Sequence, residues 1–441
     1  MKRWRISYLV LAAVAILAIA GCNDDNNGTG TNVEPPVPHD PIPADNAVNQ
    51  DLRVRLEWSA FDPDGDLTDY KIYLDTLNPP TYDTTVNTYL YSHSNNRFEF
   101  NTTYYWQIIA NDRHHPDVVG PIWRFTTGNL YQVDLWDTQN ALKIFVNDDS
   151  LVFVADDGAG MKIFMVTDTS QVGQRIDSVG AISSTGFNND IYESAGVAYM
   201  ATNNGLNIYD VSNPAIPVVI RLLQVPVYSP SEDVRAVNVI GNYAYTASVM
   251  LAANPANDTG YVRILNISDP ADTVLQEGSI AFQGIGQDIY VVGNYAYVAD
   301  SLNGLRIFDI SDETNPTLES TLATNDRAIA VFAVGTTVYI ADGSAGLTIV
   351  DASNPASPSI VGNIDMPDYA RDVYVRDNYA YVADYAHGGL QIANVTTPSA
   401  PVIVASRLTL GGAAGVFVDD HYVYFGDKFN GLIVYEFQPA N

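Results

Sequence analysis

From Val54 onward, apolar and polar residues alternate in short runs broken by Gly, Pro, Asn and Asp, the period-two pattern of half-buried strands. No stretch carries the 3.6-residue periodicity of a long amphipathic helix, so the pattern predicts an all-β chain. Within it one short segment returns seven times: Met161-Lys-Ile-Phe-Met165, Leu206-Asn-Ile-Tyr-Asp210, Val262-Arg-Ile-Leu-Asn266, Leu305-Arg-Ile-Phe-Asp309, Leu347-Thr-Ile-Val-Asp351, Leu390-Gln-Ile-Ala-Asn394 and Leu432-Ile-Val-Tyr-Glu436. Their first residues lie 45, 56, 43, 42, 43 and 42 apart. Such a period in a strand-rich chain predicts a series of small sheets, each unable to bury both faces alone.

The repeat around Leu305 shows the unit. Two alternating runs flank the hairpin signal Gly293-Asn294, the Leu305 strand follows, and Asn315-Pro316 breaks it from a further strand. Four strands per repeat and seven copies predict a seven-bladed β-propeller over residues 129–441. The last copy stops at Phe437 without a fourth strand, whereas Leu130-Tyr-Gln-Val-Asp-Leu135 is a strand without a repeat. Pairing the two would close the ring and hide an edge. The Leu347–Asp351 strand and its counterparts resemble the LVIVD repeat family, with the Met161 copy the weakest. That resemblance implies surface proteins of bacteria or archaea whose activity is largely undefined.

Residues 38–128 lack this period. Val54-Arg-Leu-Glu-Trp58, Asp69–Leu74, Thr103–Ile108 and Ile122–Thr126 alternate, with turn signals between them, and predict a β-sandwich. Trp58, the series Tyr104, Trp106, Ile108, Ala110 and the run Trp123-Arg-Phe-Thr-Thr127 resemble strands of a fibronectin type III domain. The resemblance implies a corner hydrogen bond at Tyr104 and a spacer or adhesion role. The fold class expected is therefore all-β: a seven-bladed β-propeller preceded by a fibronectin type III-like β-sandwich.

The first 21 residues differ from the rest. Lys2, Arg3 and Arg5 precede an apolar stretch from Tyr8 to Ala20, too short to span a bilayer comfortably. Ile19-Ala-Gly-Cys22 resembles a bacterial lipobox, which implies a signal peptide (1–21), cleavage before Cys22 and lipidation of that residue, the only cysteine. Residues 22–37 are polar and then Pro-rich and read as a disordered tether. The acidic run Cys22-Asn-Asp-Asp25 resembles a surface-export signal, so the expected location is the outer membrane, anchored by the Cys22 lipid and facing outward.

Net charge is −30, and loss of Lys2, Arg3 and Arg5 leaves 18 basic against 51 acidic residues. A chain this acidic repels phosphates, so no nucleic-acid partner is expected. The expected state is a monomer that meets a protein or glycan at the cell surface as a binding or adhesion module. The alternatives are a propeller enzyme, a metal-dependent hydrolase or lyase using the acidic upper face, and a structural envelope component.

Candidate chemistry is sparse. No His-Glu-x-x-His, Gly-x-Ser-x-Gly or phosphate-cradling Gly loop occurs, and no catalytic residue is assigned. His387, near Asp384, is the one candidate acid or base. Chain direction places Asp156, Asp300, Asp342, Asp384 and Asp427 on one face, termed upper here, together with Asp190, Asp288 and Asp372. The first five either form a cation-binding ring or cap their own loops through backbone N–H groups. Asp62, Asp64 and Asp66 either ligate Ca²⁺ or form a tight turn. Ca²⁺ is thus the one cofactor these carboxylates could hold, and otherwise none is expected. Departures from the repeat also fall on the upper face: the insertion Met250–Thr259, the link Val225–Glu232 and the link Gly180–Phe187. Phe187, Tyr228, Met250, Asn254 and Asp258 are the partner-binding candidates.

Overall fold

The computed structural model describes residues 32–63, 69–93, 98–136, 138, 140–148, 150–166, 176–184, 186–223, 232–271, 275–409 and 411–439. Cys22, Asp64, Asp66 and Tyr228 lie outside the described residues. The described chain is all-β, apart from two short 3-10 turns.

The N-terminal part forms a three-stranded and a five-stranded sheet. Leu56 and Trp58 of one sheet and Tyr70, Ile72, Trp106, Ile108, Trp123 and Phe125 of the other share a single core. Alternation drives this: along Thr103–Asn111 every second residue from Trp106 to Ala110 is buried. The backbone N–H of Glu99 donates to the Tyr104 hydroxyl at 3.1 Å.

Seven four-stranded antiparallel sheets follow in a propeller-like succession. Their innermost strands are Ala141–Val146, Asn188–Ser194, Asp233–Ile240, Asp288–Val292, Ala330–Val334, Tyr369–Arg376 and Ala413–Val418. Each innermost strand touches the next, and that of the seventh sheet touches that of the first. The second and third strands of each sheet are buried almost throughout, as in Val423–Asp427, because both faces pack on neighbouring sheets. The outer strand of the seventh sheet is Leu130–Trp136, which pairs antiparallel with Gly431–Phe437. The lower hairpins need positive φ, supplied by Gly241, Gly293 and Gly335 and, in the sixth sheet, by Asp377 and Asn378.

The chain enters the succession of seven sheets at its lower end, at Leu130. There Asn101 Nδ2 donates to the Gln438 carbonyl at 3.2 Å, Asn129 Nδ2 donates to the Val404 carbonyl at 3.0 Å, and Arg53 lies 5.6 Å from the Tyr131 ring centre. The junction continues up the outer strand of the sixth sheet to Arg407, whose Nη2 lies 3.9 Å from Asp51 Oδ2.

Candidate functional site

All seven innermost strands line one cavity of about 300 Å³. The equivalent residues across sheets two to seven read Asp190, Ala236, Asp288, Ala330, Asp372 and Gly415. Carboxylate and small residue alternate, and each carboxylate uses the room its small neighbour leaves. Asp190, Asp288 and Asp372 each accept, through Oδ2, a 2.9 Å bond from the next sheet: from the N–H of Val237, Val331 and Val416 respectively. At Gly415 a Cβ would sit 2.3 Å from the Leu142 carbonyl oxygen, so even alanine is too large there. Alternation cannot close on an odd number of sheets. The first sheet holds the leftover position and fills it with Lys143.

Lys143 Nζ donates to Asp372 Oδ1 at 2.5 Å and lies 3.9 Å from Asp288 Oδ2. Burial works against its ammonium, but the carboxylates of Asp288, Asp372 and Asp190 outweigh that and hold its pKa above the ordinary lysine value. Burial pushes the Asp190 carboxyl up to about 7, with Lys143 opposing and Asp288 reinforcing. Asp288 is also raised by burial. One ammonium thus stands against three carboxylates.

The charged layer divides the channel. Above it lies a smaller recess of about 110 Å³, with Asn189, Arg235, Gln287 and Arg371 among its lining residues. Below it the next residue facing the cavity is aromatic in six of the seven sheets. Their ring centres form a chain: Tyr192–Phe145 4.4 Å, Phe145–Phe417 5.5 Å, Phe417–Tyr374 4.6 Å, Tyr374–Phe332 4.6 Å and Phe332–Tyr290 4.5 Å. Asn238 fills the gap and accepts the Val291 N–H at 3.2 Å.

The structure does not bring the five upper aspartates together. Each is fully buried in the loop of its own sheet, and none lines the cavity. Asp300 accepts the Ile285 N–H at 2.6 Å and pairs with Arg306 at 2.5 Å. Asp342 accepts from Thr324 Oγ1, Thr348 Oγ1 and the Asn325 N–H at 2.7, 3.0 and 3.0 Å. Asp427 accepts the N–H groups of Phe429 and Asn430, both at 2.9 Å. Asp156 accepts from the Asn140 N–H at 2.5 Å and pairs with Lys162 at 2.8 Å. The geometry is that of loop capping, as short polar side chains favour. The upper rim of the channel, read from sequence as acidic, carries Arg235 and Arg371 instead. Among the described residues no group of three or more His, Cys, Asp or Glu is placed to hold a metal ion. Asp62 is buried.

Asp384 caps less completely. Its Oδ2 accepts the Asp368 N–H at 3.1 Å, while its buried Oδ1, like Asp427 Oδ2, has no hydrogen-bond partner among the described residues. Burial raises its carboxyl to about 6. The folded chain therefore retains a proton there that the unfolded chain loses near pH 4, and stability falls as pH rises from about 4 to about 6. Asp384→Asn is expected to flatten that part of the profile, which melting temperatures at pH 4 and pH 7 would check. His387 is 84% exposed, with Nδ1 3.8 Å from Asp368 Oδ2.

The inserted loop of the third sheet is also rearranged relative to expectation. Asp258 is buried and accepts the Ala252 N–H at 2.8 Å, Asn254 caps a short 3-10 turn, and Met250 ends a strand half-buried. These three shape the loop, and Leu251 is its exposed apolar tip. Phe187 is exposed as expected, and Leu302, Leu408 and Phe429 join it on upper loops, so that these five side chains are 59–74% exposed. Lys143 was the functional candidate that sequence reading missed. Its signal was there: a basic residue where the other repeats hold Asp, Ala or Gly.

The model of the LVIVD repeat matches residues 186–222, 283–324, 327–366 and 367–409, so the chain carries four LVIVD repeats. They fall in the second, fourth, fifth and sixth sheets. The other three depart from the pattern in identifiable ways: methionines begin and end the first copy, the third carries the insertion, and the seventh takes its outer strand from residues 130–136. No curated protein matches the chain. Similar solved structures include the WD40 beta propeller domain of Doa1, with TM-score 0.52, 11% identity and coverage of 69% of this chain and 96% of that one. The computationally designed Ika8 protein is similar at TM-score 0.50 and 9% identity, covering 70% of this chain and 99% of that one. At such identities the likeness concerns the fold.

Proposed function

We propose that the chain is an exported, lipid-anchored binding protein in which a fibronectin type III-like sandwich carries a closed seven-bladed propeller, whose upper face meets a protein or glycan. The observation that carries this reading is the set of exposed apolar tips on the upper loops: Phe187, Leu251, Leu302, Leu408 and Phe429. Large apolar side chains held out by a rigid scaffold suit a partner surface. The junction with the sandwich runs along the outer edge of the sixth and seventh sheets, from Gln438 at the lower end up to Arg407, which lies 3.9 Å from Asp51. Closure is supported by the Leu130–Trp136 pairing and by one cavity that all seven inner strands line. The Glu99 to Tyr104 bond supports the fibronectin-like reading of the sandwich.

A glycan array and a pull-down from envelope extract, made with the full chain in detergent, test the proposal. Leu251→Ser combined with Phe429→Ser is expected to abolish capture while leaving the melting temperature within a few degrees, since both side chains are exposed. Capture that survives both substitutions would overturn the assignment to the upper face.

A further inference from the structure

The lower half of the channel is a second, separate recess, and it rests on the reading of the wheel as a binding module. Its volume, about 300 Å³, is at the small end of ligand pockets. Its inner, upper end holds three carboxylates and one ammonium, and that ammonium is hydrogen-bonded to Asp372. Asp190 and Asp288 are held in place by backbone N–H groups of their own and the neighbouring strands. Those bonds fix the carboxylates, and the one ammonium, Lys143, bonds Asp372 and lies 3.9 Å from Asp288.

The walls are the six aromatic rings. Aromatic carbon lines the recess below the buried carboxylates, so the recess favours a cation with carbon attached to it over an anion or a neutral solute. The hairpins of the lower mouth add to the field: among the described residues they carry Asp148, Glu193, Asp377, Asp419 and Asp420 against one arginine, Arg376. Charge of one sign around a concave mouth raises the local concentration of the opposite ion. A bare metal ion would find rings instead of oxygen ligands on most sides.

We propose that the lower channel binds a small organic ammonium ion, its head on the Asp190 and Asp288 carboxylates and its carbons against Tyr290, Phe332 and Tyr374. Lys143 is the internal counterpart of such a ligand, an ammonium hydrogen-bonded to the third carboxylate and 3.9 Å from Asp288.

Calorimetric titration of the full chain in detergent tests this with choline and with 3,3-dimethylbutan-1-ol, which has the same shape but no charge. Choline is expected to bind at least tenfold more tightly than the alcohol. Phe332→Leu, Tyr290→Leu and Asp190→Asn are each expected to weaken choline about tenfold, and Lys143→Met to tighten it. A melting curve for each variant separates lost binding from lost folding, and any one of the three weakening variants that folds suffices. n-Butylammonium serves as the primary-amine arm. Equal binding of choline and the alcohol would overturn the proposal. So would the absence of binding by both ammonium ions, or unchanged affinity in the folded variants. Partner capture by the upper face is read in a different experiment, so either proposal can fail while the other stands.

Discussion

Lys143→Met is expected to lower the unfolding free energy at pH 8 by about 3–5 kcal/mol, the loss typical when one partner is removed from a buried ionic group. The substitution keeps the aliphatic stem but leaves Asp190, Asp288 and Asp372 facing one another in the channel wall. Lys143 is 23% exposed and Asp372 4%, so solvent screens the pair only in part. Proton linkage sharpens the test. The Asp190 carboxyl titrates near 7 in the folded chain and near its ordinary value of 3.8 when unfolded, so the folded state binds more protons across that window. Stability contributed by this proton is full below about pH 4 and is lost as pH rises through about 7. Without Lys143 the carboxylates repel more strongly, and the loss at pH 8 should exceed that at pH 5. Urea unfolding at the two values reads it. Equal losses, or a loss below about 1 kcal/mol, would show that channel water already screens the cluster.

The second large effect lies in the third sheet. Arg263→Leu is expected to lower stability by about 3–5 kcal/mol, while the double change with Glu232→Leu should recover most of that. Glu232 is fully buried and Arg263 nearly so. The guanidinium donates to Glu232 through Nε at 2.9 Å and through Nη2, and its Nη1 donates to Gln276 and Ser279 at 2.8 and 3.1 Å. Ser248 Oγ completes the carboxylate at 2.8 Å. Leucine at 263 leaves a carboxylate without its cation inside the sheet stack, whereas leucine at both positions leaves none. A double-mutant cycle by urea unfolding measures the difference. A double variant as unstable as Arg263→Leu would mean that shape, and not charge, holds the place.

This pair also shows a substitution within the repeat. In the first and fourth sheets the carboxylate at the end of the second strand, Asp156 or Asp300, pairs with the basic residue one position into the third-strand segment, Lys162 or Arg306. The third sheet has Ser248 at that place, and the acid arrives from the preceding link instead. Period and alternation made the sheets readable, because each sheet repeats the same burial problem. They could not reveal Glu232 as a capping acid, since it lies outside the repeated segments.

The sequence by itself determined the strands, their grouping in fours and the outer strand supplied by Leu130–Trp136, because period-two burial and turn chemistry act over a few residues at a time. It also placed the aspartates on the upper loops, and short-range hydrogen bonds fixed what they do there. Only the tertiary structure decided what meets in the middle. Lys143 and Asp372 are 229 residues apart and lie 2.5 Å from one another because seven sheets bring their inner strands to a common channel. Which residues face that channel depends on bulges at the starts of several of those strands, which shift the alternation by one. A pattern read along the chain carries no record of that convergence, since the partners belong to different repeats and their attraction is a matter of distance alone.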